Sequence, residues 1–245
     1  MTFLLKKKTI VLTGGTSGIG RALAERLHSD NNLMVIGRNA IKLEALKKLF
    51  PGITVFKADL TDTGGLAPLA EKIRGQHPKI DLLINNAAVQ NTPQFMDDNF
   101  RVEAIAGEIA VNFTSPCMLI SLLLPALVKD TPSVILNINS GLGLVPKKTS
   151  AVYCGSKGGL NIFSQSLRHQ LAETNISVQQ AFMPLVDTEM TKGRGVGKLT
   201  PAVAAQRILA GVEQGSPDNY IGKVKLLRVL TRIWPSAASS IMKKA

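Results

Sequence analysis

Cysteine is nearly missing from this chain: 245 residues hold only Cys117 and Cys154. Two cysteines make no disulfide framework, and neither stands in a Cys-x-x-Cys or Cys/His spacing that would hold a metal. His28, His77 and His169 are scattered, so no metal site is expected. Aromatic residues are scarce, at 4%. With no zinc-finger or homeodomain spacing either, nucleic acid is a poor partner. No uninterrupted apolar run approaches the roughly 18 residues of a membrane span. The apolar start, Phe3-Leu4-Leu5, is too short for a signal peptide and its basic residues follow instead of preceding. A cytoplasmic protein is the default expectation. Acidic residues are the last shortage: 17 Asp and Glu face 29 Lys and Arg, a net charge of +12. That balance attracts anions without choosing among cofactor phosphates, anionic lipid and nucleic acid.

What is present is ordinary for a soluble globular protein, with 45% hydrophobic and 19% charged residues. The length suits a single α/β domain spanning 1–245, and no Pro/Gly/Ser-rich linker, repeat or low-complexity tract divides it. Short β-branched runs alternate with helical patterns. Strands are expected at Thr9–Thr13, Leu33–Ile36, Ile53–Ala58, Ile80–Ile84, Ser133–Ile138 and Ile176–Phe182. Helices are expected at Ile19–Ser29, Ile41–Phe50, Leu66–Gly75, about Val102 to Val128, Ser150–Ala172 and Pro201–Glu213. Such alternation builds βαβ units, hence a parallel sheet with helices on both faces. The strands are Val/Ile/Leu-rich throughout, as strands buried on both sides must be.

The first strand runs into Thr13-Gly14-Gly15-Thr16-Ser17-Gly18-Ile19-Gly20, and a helix follows. Gly14, Gly18 and Gly20 allow a sharp turn and a close approach of backbone to a pyrophosphate, and the helix start offers free N–H groups. In this strand-to-helix context the segment reads as the phosphate loop of a Rossmann-like, doubly wound sheet. The second strand ends Gly37-Arg38-Asn39. An acid here would bind a ribose 2′-hydroxyl and favour NAD; Arg38 in its place favours the 2′-phosphate of NADP(H) over NAD(H). Tyr153 and Lys157 stand four apart in a helix, on one face. An ammonium near a phenol favours phenolate, which tunes Tyr toward proton transfer. Ser140, at the end of the fifth strand, is placed to bond a substrate carbonyl. Cys154 reads as a small packed thiol, and Asp97 and Asp98 as a solvated helix start.

The segments Thr13–Gly20, Asn85-Asn86-Ala87-Ala88, Asn112, Ser140 and Tyr153-x-x-x-Lys157 occur in an order and spacing that resembles the short-chain dehydrogenase/reductase family, over about residues 8 to 215. The resemblance implies a carbonyl–alcohol oxidoreductase acting on a small molecule. Tyr153 is then the general acid or base, Ser140 polarises the substrate oxygen, and Lys157 holds the nicotinamide ribose and lowers the Tyr153 pKa. Asn112 helps position a proton-relaying water. It further implies Gly14, Thr16, Ser17, Gly18, Ile19, Gly20, Arg38, Asn39, Asp59, Leu60, Asn86, Ala87, Val186 and Thr188 at the cofactor. The implied strand order is 3-2-1-4-5-6-7, with a short seventh strand near Tyr220–Ile221. Homodimers or homotetramers are implied as well, and the outer faces of the helices holding Asn112 and Tyr153 (Leu119, Leu122, Leu123, Phe163, Leu167) offer apolar surface for pairing. A non-catalytic NADP-binding regulator on the same fold is the rival reading; the complete Asn112, Ser140, Tyr153, Lys157 set favours the enzyme.

Two departures stand out. Ala88 replaces a usual Gly, and Met183-Pro184 replaces the usual Pro-Gly before Val186. The altered turn and basic tail are similar to those of bacterial DltE-type oxidoreductases. Glu189–Leu199 carries Gly193, Gly195 and Gly197 among Lys192, Arg194 and Lys198. It is either a basic lid for an anionic substrate or a solvated loop. Residues 223–245 hold six Lys/Arg and no acid. Over Lys223–Trp234, Leu226, Leu227, Val229, Leu230, Ile233 and Trp234 share one helical arc. Lys225, Arg228 and Arg232 lie opposite, and Val224 alone breaks the pattern. The arc is expected to dock on protein, with peripheral membrane contact the less favoured reading.

Overall fold

The computed structural model describes residues 3–243. Seven parallel strands form its sheet: β1 (Thr9–Thr13), β2 (Asn32–Gly37), β3 (Thr54–Lys57), β4 (Leu82–Asn85), β5 (Ser133–Ser140), β6 (Ile176–Met183) and β7 (Asp218–Tyr220). Their order is β3-β2-β1-β4-β5-β6-β7. The reversal between β1 and β4 opens a crevice at the carboxyl ends of these strands, where a doubly wound sheet binds its ligand.

Strand residues alternate between two cores because successive side chains leave opposite faces. Ile10 and Leu12 join α1 (Gly18–Leu27), α2 (Ala40–Leu49) and α7 (Pro201–Glu213) through Leu23, Leu43 and Ile208. Val11 and Ile36 join α3 (Leu66–Gln76), α5 (Ser115–Leu127) and α6 (Ala151–Gln170) through Leu69, Leu123 and Leu167. Each Leu or Ile buried this way contributes about 1.5–3 kcal/mol.

The expected long helix from Val102 is in fact interrupted. It consists of α4 (Glu103–Ile109), a π turn at Ala110–Thr114 and α5. Glu103–Leu127 is long and apolar enough to cross a membrane by composition. Here it is a core element, packed on α3 and α6. Asp97 and Asp98 do not start it: Asp97 closes a turn, accepting the Gln94 N–H at 2.7 Å. Leu119, Leu123 and Leu167 are not available for pairing between chains, because all three are buried within this one. Leu122 and Phe163 are half-buried against the same core.

The C-terminal expectation is corrected too. After β7 come α8 (Lys223–Ile233) and α9 (Pro235–Lys243). Val224, the residue that breaks the apolar arc, docks at 3% exposure, and Leu227 from the arc's edge docks beside it against Gly141. The rest of the arc turns outward, with Leu226 71% exposed and Ile233 78%. Pro235, which cannot continue a helix, separates α8 from α9.

Candidate active site

The glycine-rich turn leaves β1 and enters α1. Gly14 has φ +69° and Gly18 φ +51°, a left-handed region that suits glycine. A side chain on Gly14 would press on Ala87, and one on Gly20 would collide with the Gly14 carbonyl. Ser17 caps α1 in extended conformation with no side-chain bond to the helix, and the first turn holds no acid. The free N–H groups and positive helix end therefore suit a phosphate. Thr16 lies near Gly37 at the end of β2, and Ile19 packs on the core.

Thr13 and Asn86 hold this turn to β4. The Thr13 hydroxyl accepts the N–H groups of Asn86 and Ala87, each at 3.0 Å. The Asn86 amide donates to the carbonyls of Thr13 at 2.9 Å and Gly14 at 3.2 Å. Those bonds are complete despite Ala88, so that departure leaves the turn intact. Arg38 is exposed at the end of β2. Asn39 caps α2, its side chain accepting the Lys42 N–H at 2.9 Å. Asp59 accepts the main-chain and hydroxyl groups of Thr61, both at 2.9 Å. These bonds hold its carboxyl below the usual range, and the nearby Arg38 charge adds to the effect. Leu60 is buried, and its carbonyl accepts the Ser115 hydroxyl at 2.6 Å. An exposed guanidinium beside the carboxyl end of β2 fits a dinucleotide with an added phosphate.

Tyr153, Lys157, Ser140 and Asn112 converge at the carboxyl end of β5. Tyr153 and Lys157 are both buried. Burial pushes the Tyr153 phenol up to about 12, and a hydrogen bond with Ser140 pulls it the other way. The expected lowering of this pKa by Lys157 is not what dominates. The Lys157 ammonium donates to the Ile138 carbonyl at 2.8 Å and lies 5.9 Å from the Tyr153 ring centre. Burial brings Lys157 itself down to about 8. Ser140 also accepts the Leu142 N–H at 3.1 Å. Asn112 is fully buried in the π turn. Its amide donates to the Val89 carbonyl at 2.9 Å and the Ser156 hydroxyl at 3.2 Å, and its oxygen accepts the Val89 N–H at 2.9 Å. Both amide hydrogens are thus engaged in tying α6 to the loop after β4.

Several residues at the site escaped the sequence reading. Asn139 accepts the Ser140 N–H at 2.8 Å and donates to Gln180 at 2.9 Å. Asn85 donates to Asn137, and Asn137 to Ser164, each at 2.9 Å. Two asparagines in a strand buried on both faces were a usable signal, since buried amides need partners. Glu108 is buried at 2% exposure and accepts both the main-chain and side-chain N–H groups of Asn91. Burial raises its pKa. It borders a small cavity with Phe95, Phe100 and Val152, beside the Tyr153 cluster. Cys154 is a packed thiol, its pKa raised by burial.

The glycine-rich 189–199 segment is tied down. Gly193, Gly195 and Gly197 all have positive φ, and a side chain on Gly195 would strike Leu185. Arg194 donates to the Gln90 side-chain amide oxygen at 2.9 Å, and the Gln90 amide nitrogen donates to the Ser150 hydroxyl at 3.2 Å. That chain bridges the segment, the loop after β4 and the start of α6. Val186 pairs with Leu199, and past the altered Met183-Pro184 turn Thr188 reaches the phosphate loop. A side chain on Gly18 would meet Thr188 at 2.9 Å.

Residues 8–197 match the family model described as short chain dehydrogenase. The chain is 32% identical over 235 residues to an uncharacterized oxidoreductase, DltE, of Bacillus subtilis, covering 93% of each. Among solved structures it resembles a short chain dehydrogenase from Burkholderia cenocepacia in complex with NADP. The TM-score is 0.87 at 23% identity, over 98% of this chain and 99% of that one. A short chain dehydrogenase/reductase from Burkholderia phymatum in complex with NAD gives a TM-score of 0.82 at 18% identity, over 94% and 96%. The family match and the placement of its motifs around one crevice agree: the chain belongs to the short-chain dehydrogenase family of oxidoreductases.

Proposed function

We propose that this protein interconverts a carbonyl and an alcohol with NADP(H), using Tyr153 as the proton-transfer group. The observation that carries the reading is the buried Tyr153 and Lys157 on one face of α6, beside the half-buried Ser140 at the end of β5. Gly14, Thr16, Ser17, Gly18, Ile19 and Gly20 would hold the pyrophosphate side of the cofactor. Asp59 and Leu60 would border its adenine, with Arg38 and Asn39 at the 2′-phosphate. Asn86, Ala87, Val186, Thr188 and Lys157 would border the nicotinamide half. When bound, the nicotinamide supplies or accepts the hydride.

In reduction, Ser140 donates a hydrogen bond to the substrate oxygen, and Tyr153 transfers its phenolic proton there. A phenol pushed up to about 12 stays protonated at neutral pH, so the proton to be transferred is in place. Oxidation reverses the transfer and needs a stronger pull toward phenolate, which the positive charge of Lys157 on the same helical face would supply. Asn112 acts as a positioning residue: its amide fixes Val89 and Ser156 beside Lys157, where it would help position a proton-relaying water. The regulatory reading loses ground here, because a protein that only binds cofactor has no use for a buried Tyr153 and Lys157 set beside Ser140.

Arg38 sets the cofactor preference. Calorimetry on the parent protein should show NADPH binding more tightly than NADH. Arg38→Ala should weaken NADPH by about tenfold or more and spare NADH, as expected for losing a guanidinium–phosphate pair. Equal affinity for both in the parent protein would remove the preference for NADP(H).

A further inference from the structure

We propose that the outward face of α8 and α9 is a docking surface for an anionic membrane. The face is apolar and uncovered: Leu226, Val229, Ile233, Trp234 and Ile241 are 51% exposed or more. At about 100° per residue, Leu226, Val229 and Ile233 fall within an arc of about 60°. Lys225 and Arg232 border that arc on one side and Lys223 on the other, and the three are exposed. Val224 and Leu227 point the opposite way and meet the Gly141 backbone. Arg228 also turns inward, lying 5.5 Å over the Tyr220 ring. The helix is thus anchored by one side and presents an apolar stripe with cationic margins on the other. At 11 residues α8 is too short to span a bilayer. An amphipathic helix of this kind lies in the headgroup region, apolar side down.

Charge decides between lipid and a second copy of the chain. Residues 223–245 contain no acid. Pairing two such faces would press their lysine and arginine margins together with no carboxylate in the segment to neutralise them. Anionic headgroups neutralise those margins directly, and juxtamembrane basic residues bind such surfaces. The position of α8 adds a consequence that rests on the carbonyl-reductase reading. Its inner side touches Gly141, the residue after Ser140. A membrane on the outer side lies close to the active site, which suits an apolar carbonyl compound dissolved in lipid.

The test is flotation of the full chain with vesicles of phosphatidylcholine alone or mixed with phosphatidylglycerol. Binding should be about tenfold stronger or more to the mixed vesicles and should fall as salt rises. The double variant Val229→Asp, Ile233→Asp should lose binding by about tenfold or more at an unchanged melting temperature, since both side chains are exposed. Equal binding to both vesicles would overturn the proposal. So would a double variant that binds as well as the parent. A parent dimer in solution that the double variant splits, with no vesicle binding, would assign the face to a subunit interface instead. Turnover of a long-chain aldehyde carried in the mixed vesicles is read separately. Binding without turnover keeps the docking surface and counts against the reductase reading.

Discussion

The crevice at the carboxyl ends of β1, β4 and β5 and the C-terminal pair α8–α9 satisfy their side chains in opposite ways. Around the crevice, partners come from within the chain. Thr13 holds Asn86 and Ala87, Asn112 holds Val89 and Ser156, and Asn139 holds Ser140. On α8, Leu226, Val229 and Ile233 face outward without such cover. A site that must place atoms closely is over-determined by its own chain. A surface whose partner is external is left unfinished, and its apolar stripe marks it.

The contrast breaks most visibly at Gly20. Gly20→Ala puts a methyl against the Gly14 carbonyl, so the turn must open or α1 must shift. A loss of roughly 1–3 kcal/mol or more is expected in urea unfolding, together with loss of cofactor binding. Parent-like stability and affinity would show that the turn is looser than its geometry implies.

Val224 and Ile233 sharpen the comparison within one helix. Val224→Asp buries a carboxylate against Gly141 and should cost about 2 kcal/mol or more. Ile233→Asp adds the same charge to an exposed position and should stay within about 0.5 kcal/mol of the parent. Equal losses would mean that the outer stripe is covered by protein after all.

Lys157 gives a pH signature of the crevice. Its pKa falls from 10.5 to about 8 in the folded chain. Between those values the unfolded chain binds more protons, so stability rises with pH across that window. The rise ends as pH passes about 10, where Tyr153 acts in the opposite sense: it ionises in the unfolded chain but stays protonated up to about 12 in the folded one. Lys157→Met should flatten the rise and stabilise the cofactor-free protein at neutral pH by on the order of 1 kcal/mol. Melting curves from pH 7 to 10 read it directly. An unchanged slope in the variant would show that Lys157 is solvated.

Legibility followed the same divide. Strand–helix alternation placed six of the strands in a parallel sheet, and the four-residue step from Tyr153 to Lys157 placed both on α6, because local periodicity carries that information; the order of the strands and the seventh strand came from the family resemblance. The π turn at Asn112 was invisible. Apolar residues continue through it, and its cause is a set of bonds to Val89 and Ser156 that sit far off in sequence. The asparagine ladder under Ser140 was passed over for the same reason. On α8 the amphipathic pattern was read correctly but its direction was not. Periodicity finds the stripe, whereas the contacts of Val224 and Leu227 with Gly141 show which side meets the protein. The apolar residues of α5 and α6 were misjudged alike, since Leu119, Leu123 and Leu167 fill the chain's own core.

The central claim is that Tyr153 gives its proton to a carbonyl oxygen. It is tested most directly by following NADPH consumption over a panel of aldehydes and ketones, with the parent protein and Tyr153→Phe side by side. The account predicts turnover by the parent on at least one apolar carbonyl. In Tyr153→Phe it predicts a loss of about 10²–10⁴-fold with NADPH affinity nearly unchanged, because only the transferable proton is removed. Turnover by Tyr153→Phe at the parent rate would contradict it.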